Sequence, residues 1–199
     1  MKIRNLLAIL GLFVTTAFAA DLAPDALVKS TADEVLSIIK QDKDIQAGNT
    51  RKVVELVEAK VLPHFDFARM TRLAMGRNWG KASDAQKETL IKEFRTLLVR
   101  TYSVSLSQYR NQTLEYKPTK VGAEDKEALV KTLVVQPGGQ PIPIDYRMGK
   151  GTDGWKVFDI LVDGVSLVTN YRSEFNTQIE QVGVDGLIKS IADKNKAAK

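Results

Sequence analysis

The chain has 199 residues, with 29 basic against 24 acidic side chains, one histidine and no cysteine. Without cysteine there is no disulfide framework, so stability must come from a packed core. The basic residues are scattered, and no basic stripe interleaved with aromatics runs along the chain, which excludes the usual nucleic-acid footprint.

Residues 1–19 read as a cleavable secretory signal. Lys2 and Arg4 precede an apolar run from Leu6 to Phe13, and Ala17-Phe18-Ala19 supplies the small residues before a cut. Thr15 and Thr16 interrupt the run before it is long enough to span a bilayer. A signal without cysteine cannot be lipidated, so a free protein starting at Ala20 is expected. Removing Lys2 and Arg4 leaves 27 basic against 24 acidic residues, a formal +3. Residues 20–199 are expected to form one domain.

Leu27, Val35, Ile38 and Ile39 share one side of a helix that follows Pro24. Val53, Val54, Leu56, Val57, Val61 and Leu62 mark a second, ended by Pro63. Asp66 can cap a third helix carrying Phe67, Met70, Leu73 and Ala74, closed by a left-handed Gly76. Ser83 and Gln86 form a capping-box pair, and Leu90, Phe94, Leu97, Leu98, Tyr102, Leu106 and Tyr109 follow at helical spacing. That long helix is the expected spine.

From Thr113 the apolar period falls to two. Leu114 and Tyr116, Leu129 to Val135, Ile144 to Met148 and Trp155 to Val162 predict about four strands, joined by glycine-bearing turns short enough for hairpins. Beyond Gly164 the helical period returns with Leu167, Tyr171, Phe175 and Ile179. Gly183 stops that helix before a last one around Leu187, Ile188 and Ile191. Helices, then a meander sheet, then helices predict an α+β fold: an antiparallel sheet covered on one face by N- and C-terminal helices. Such layers can enclose either a filled core or a hollow for an apolar ligand, and the pattern leaves both open.

Three motifs suggest chemistry. Gly149 to Gly154 spells G-x-G-x-x-G, but a strand follows where a phosphate-binding helix is needed, so a hairpin turn is expected. Gly164-Val165-Ser166 begins like a nucleophile elbow, yet Val168 occupies the place of its last glycine, and Ser166 reads as a helix N-cap. His64 with Asp66 could serve a small hydrolase or isomerase. Neither a nucleophile nor a second imidazole accompanies them, so no catalytic residue, metal site or cofactor is assigned. An interaction adaptor with a solid core is the other alternative.

The stretch Leu62 to Trp79, with Pro63, Asp66, Phe67, Met70, Arg72, Gly76 and Trp79, resembles the pattern P-x-x-D-F-x-x-M-x-R-x-x-x-G-x-x-W of the MlaC family, also called toluene-tolerance auxiliary proteins. Gly154-Trp155-Lys156-Val157-Phe158-Asp159, running into Asp163 to Phe175, is similar to that family's second block. The resemblance implies a periplasmic phospholipid carrier in the system that maintains outer-membrane lipid asymmetry. Its implied partners are phospholipid, an outer-membrane lipoprotein–porin complex, and an inner-membrane ABC transporter complex with a lipid-binding ring. The resemblance further implies an apolar cavity between the layers: acyl chains would sit there, between sheet and helices, in a monomer, with the head group near solvent. Face assignment by periodicity predicts the lining: Phe94, Leu98, Tyr102 and Leu106 from the long helix, and Leu133, Ile144, Tyr146, Met148, Phe158, Ile160, Val162 and Val165 from the sheet and its exit.

Overall fold

Polar side chains or proline set the helix starts in the computed structural model, which describes residues 22–109 and 111–197. The signal assignment therefore lies outside the described residues. Helix α1 (Pro24–Gln41) has its proline in the first turn, where a missing N–H costs nothing. The Asp42 carboxylate caps a short α2 (Lys43–Gln46), and Asn49 caps α3 (Thr50–Lys60). Asp66 accepts a hydrogen bond from the Arg69 N–H at 2.8 Å and so caps α4 (Phe67–Met75). Ser83 and Gln86 complete the capping box that opens α5 (Asp84–Ser107). Four residues are too few to show a period, so α2 was not legible in the sequence.

Gly76 ends α4 with a positive φ of 52°, as expected, but its ψ of −129° places it outside the left-handed helical region. It leads into a 3-10 turn, Gly76–Lys81; a second such turn, Leu62–His64, holds Pro63. Helix α6 (Leu167–Ala197) is interrupted at Gly183, whose φ of 69° and ψ of −178° define a region that only glycine occupies without strain.

Between α5 and α6 lies one antiparallel meander: β1 (Thr113–Tyr116), β2 (Glu127–Val135), β3 (Ile142–Gly151), β4 (Gly154–Val162) and β5 (Val165–Ser166). The fold is α+β as the sequence predicts, with five strands rather than about four. The extra strand is two residues long and follows a two-residue turn, Asp163-Gly164, in which both residues have positive φ. That is the turn whose twist matches a right-handed hairpin. The G-x-G-x-x-G stretch is likewise a hairpin: Gly151 pairs with Gly154 around Thr152-Asp153.

Three apolar clusters hold the layers together. One joins α4, α5 and α6 through Met70, Leu90, Phe94, Leu98, Phe175 and Leu187. A second joins α1, α3 and α5 through Val35, Ile39, Val53 and Val99. The third puts Val28 of α1 on the sheet face formed by Val130, Met148 and Val157. Helix α5 packs chiefly on α3, α4 and α6 rather than on the sheet.

Candidate functional site: a graded apolar sheet face

Directly paired residues in an antiparallel sheet point to the same side, so the register sorts the strands into two faces. One face carries four rows. Ala128, Met148 and Val157 form the first; Val130, Tyr146 and Ile160 the second. Tyr116, Thr132, Ile144, Val162 and Val165 form the third, and Leu114, Val134 and Ile142 the fourth. Burial falls along these rows. Met148 and Val130 are 0% exposed, Tyr146, Ile144 and Ile160 are half-buried, and Ile142, Val162 and Val165 reach 37%, 43% and 58%. The face is thus closed by α1 at the Met148 end and open at the other.

Its polar groups are satisfied locally. Thr132 Oγ1 donates to the Ile144 carbonyl at 2.7 Å, and its hydroxyl also shares a hydrogen bond with the Tyr146 phenol, whose ionisation burial shifts upward. The Tyr116 hydroxyl donates to the Asp33 carboxylate of α1 at 3.1 Å, which fastens α1 across β1. Such a surface offers aliphatic and ring carbon to a ligand and no reactive group.

Of the predicted lining residues, the register brings Ile144, Tyr146, Met148, Ile160, Val162 and Val165 together on this face. Tyr102 is 43% exposed on α5, and its phenol shares a hydrogen bond with that of Tyr171 in the first turns of α6. Burial raises both phenols above their ordinary range. Leu106 is half-buried against the α1–α3–α5 cluster.

Four expectations are corrected. Leu133 pairs with Pro143 and Glu115, so it lies on the opposite face from Ile144; the mostly apolar run Leu129 to Val135 carries no alternation from which to choose. Phe158 is displaced by a bulge: Arg147 pairs with Asp159 and Met148 with Val157, leaving Phe158 as the extra residue. It turns into the helical cluster, and the Arg69 guanidinium stacks 3.5 Å above its ring. Trp155 and Val157 take its place on the graded face, which explains why β4 reads as apolar on both sides. Phe94 is fully buried edge-on to Tyr171 and Phe175, and Leu98 is 6% exposed beside it; both belong to closed helical core.

Sequence reasoning missed Leu114, Tyr116, Thr132, Val134 and Ile142 as members of the face. Leu114 and Tyr116 had the right alternation but sat on a four-residue strand, and Ile142 was hidden by the proline after it.

The remaining motifs are structural. Ser166 Oγ accepts from the Thr169 N–H at 3.0 Å, the N-cap the sequence predicts, and donates to the buried Asp159 carboxylate at 2.7 Å. The Asp66 carboxylate is occupied by its cap, and His64 is half-buried with burial and then Lys156 depressing its pKa. Among the described residues no group of three His, Cys, Asp or Glu side chains could hold a metal, and no helix is long and apolar enough to cross a membrane. A separate concavity of about 670 Å³ lies between Phe65, Phe67, Ile91, Arg95 and the β3–β4 turn, and none of the predicted lining residues borders it.

A family model described as MlaC protein matches residues 29–193. The chain is 25% identical to the toluene tolerance protein ttg2D of Pseudomonas putida, covering 98% of this chain and 93% of the relative. It is 24% identical to the intermembrane phospholipid transport system binding protein MlaC of Haemophilus influenzae, covering 88% and 86%. Among solved structures, a phospholipid-binding protein from Ralstonia solanacearum in complex with a phospholipid superposes with a TM-score of 0.83 at 39% identity, covering 89% of this chain and 99% of that one.

Proposed function

Because the chain belongs to the MlaC family, we propose that it is a periplasmic phospholipid carrier that holds acyl chains on the graded sheet face. In this reading it shuttles lipid between an outer-membrane lipoprotein–porin complex and an inner-membrane ABC transporter with a lipid-binding ring. The observation that carries the reading is the apolar face itself, closed at Met148 and open at Val162 and Val165, with its few polar groups paired internally. A solid-core adaptor gives no reason for the aliphatic side chains of one sheet face to become steadily more exposed from Met148 to Val165. The Ralstonia relative, similar over almost its whole length, was solved with a phospholipid.

Burial of a methylene is worth about 0.8 kcal/mol, so two chains of roughly 16 carbons represent more than about 20 kcal/mol of gross transfer free energy. Holding lipid is therefore easy and releasing it is the demanding step. A membrane partner can drive release only by binding an open state of the carrier more tightly than the closed one. No bond is made or broken, so the carrier needs no catalytic residue.

Native purification followed by lipid extraction and mass spectrometry tests this. The expected result is close to one phospholipid per chain, on a polypeptide whose intact mass begins at Ala20. A lipid-free chain, or one retaining residues 1–19 in the membrane fraction, contradicts it.

A further inference from the structure

Helix α1 runs along β1 with Asp33 against Tyr116, and its next turns meet the start of the strand. There Asp33, Leu36, Ser37 and Lys40 of α1, Tyr109, and Leu114 of β1 line a concavity of about 360 Å³, the Asp33 carboxylate being held by Lys29 and the Tyr116 hydroxyl. By register Leu114 belongs to the fourth row of the apolar face, so this concavity is a corner of that face's open end. Lys40 lies one helical turn beyond Leu36, where a lysine stem can cover apolar surface while its ammonium stays in water. Lys29, on the same helix, is paired with Asp33 at 2.5 Å. Lys40 has no carboxylate partner among the described residues, and its ammonium stands 5.7 Å from the centre of the Tyr109 ring.

Among the described residues, the other cations near the open end are turned away from it or paired. Lys131 and Arg147 alternate onto the opposite face, and Arg147 is paired with Asp159. The turn between Val162 and Val165 carries an acid, Asp163. We infer that Lys40, at the α1–β1 corner, is the residue that receives the phosphodiester of the bound lipid. This rests on the carrier reading above and adds the polar end of the ligand to it. Tails on the apolar rows bring a phosphodiester to the rim, where an unpaired ammonium over an aromatic ring is the group that fits it.

The test compares phosphatidylglycerol with diacylglycerol of the same chains in competition binding to the purified protein, its Lys40→Glu and Lys40→Gln variants, and a Lys43→Glu control on exposed α2. An ion pair at a solvated rim is worth about 1 kcal/mol at most, so the wild type should prefer the phospholipid by about fivefold. Lys40→Gln should bring that preference close to one and Lys40→Glu should reverse it, with diacylglycerol binding unchanged. Lys43→Glu should keep the wild-type preference, and inorganic phosphate should not displace the lipid. A Lys40→Glu protein that keeps the wild-type preference, or that loses both lipids equally, overturns the assignment of Lys40 while leaving the carrier standing. A wild type that binds neither lipid overturns both.

Discussion

Replacing Ile144 by aspartate should leave the chain folded and strip it of lipid, whereas the same charge at Leu98 should unfold it. Ile144 is half-buried in the third row, level with Val162 at 43% exposure, where water reaches a carboxylate once no lipid is present. The carboxylate then opposes acyl chains rather than folding, and loss of lipid affinity by at least about a hundredfold is expected, since burying an unpaired charge costs several kcal/mol. Leu98 lies in the closed cluster with Phe94 and Phe175, and no solvent path relieves a carboxylate there. The same several kcal/mol then falls on a domain whose whole stability is about 5–15 kcal/mol. Circular dichroism and lipid extraction on the two variants should give opposite patterns. Two unfolded proteins would mean the sheet face is ordinary core; a folded Ile144→Asp with full lipid would remove that face from the binding site.

The second large effect is expected at Asp159, which touches no ligand in this account. Its buried carboxylate accepts from Ser166 Oγ at 2.7 Å and from the Val168 N–H at 3.1 Å, and lies 3.5 Å from the Arg147 guanidinium. It thereby ties β4 to the start of α6, where the exposed N–H groups and the helix dipole favour an anion. Asp159→Ala leaves the half-buried Ser166 hydroxyl and the buried Val168 N–H without this acceptor. Hydrogen bonds to a charged group contribute about 1.5–3 kcal/mol each, so a loss of about 3–5 kcal/mol is expected in chemical denaturation. Ser166→Ala, which removes the cap and one of these bonds, should cost less, about 1–2 kcal/mol. Equal stability of Asp159→Ala and wild type would show that the junction is held by apolar packing of Leu167 and Val168 instead.

The sequence was most informative where a local rule acts alone. Caps at Asp66 and Ser83, the N-cap at Ser166 and the break at Gly183 depend on short-range chemistry, and each is found in the structure. The four longer strands were equally legible, three from a period of two and β2 from its apolar, β-branched run, whereas the two-residue β5 is too short to carry a signal. Face assignment was not legible, because it depends on register and on one inserted residue. The bulge opposite Arg147 and Met148 shifts the alternation of β4, so Phe158 and Val157 exchange faces relative to a regular strand. Leu133 failed for a different reason: in a run where neighbours are apolar on both sides, only its cross-strand partners reveal which way it points. On α5, periodicity identified a buried stripe but could not separate the part that meets α6, at Phe94 and Leu98, from the exposed Tyr102. The place of Lys40 carried no signal in sequence, since it comes from the start of β1 that lies against it.

The central claim is that acyl chains occupy the face between Met148 and Val162, and photo-crosslinking measures this most directly. A phospholipid with a diazirine near the end of one acyl chain, loaded on the purified protein and irradiated, should label peptides containing Tyr146, Met148, Val157 or Ile160, the closed end of the face. Labelling confined to Phe65, Phe67 and Ile91, around the separate concavity beside the β3–β4 turn, would contradict the account.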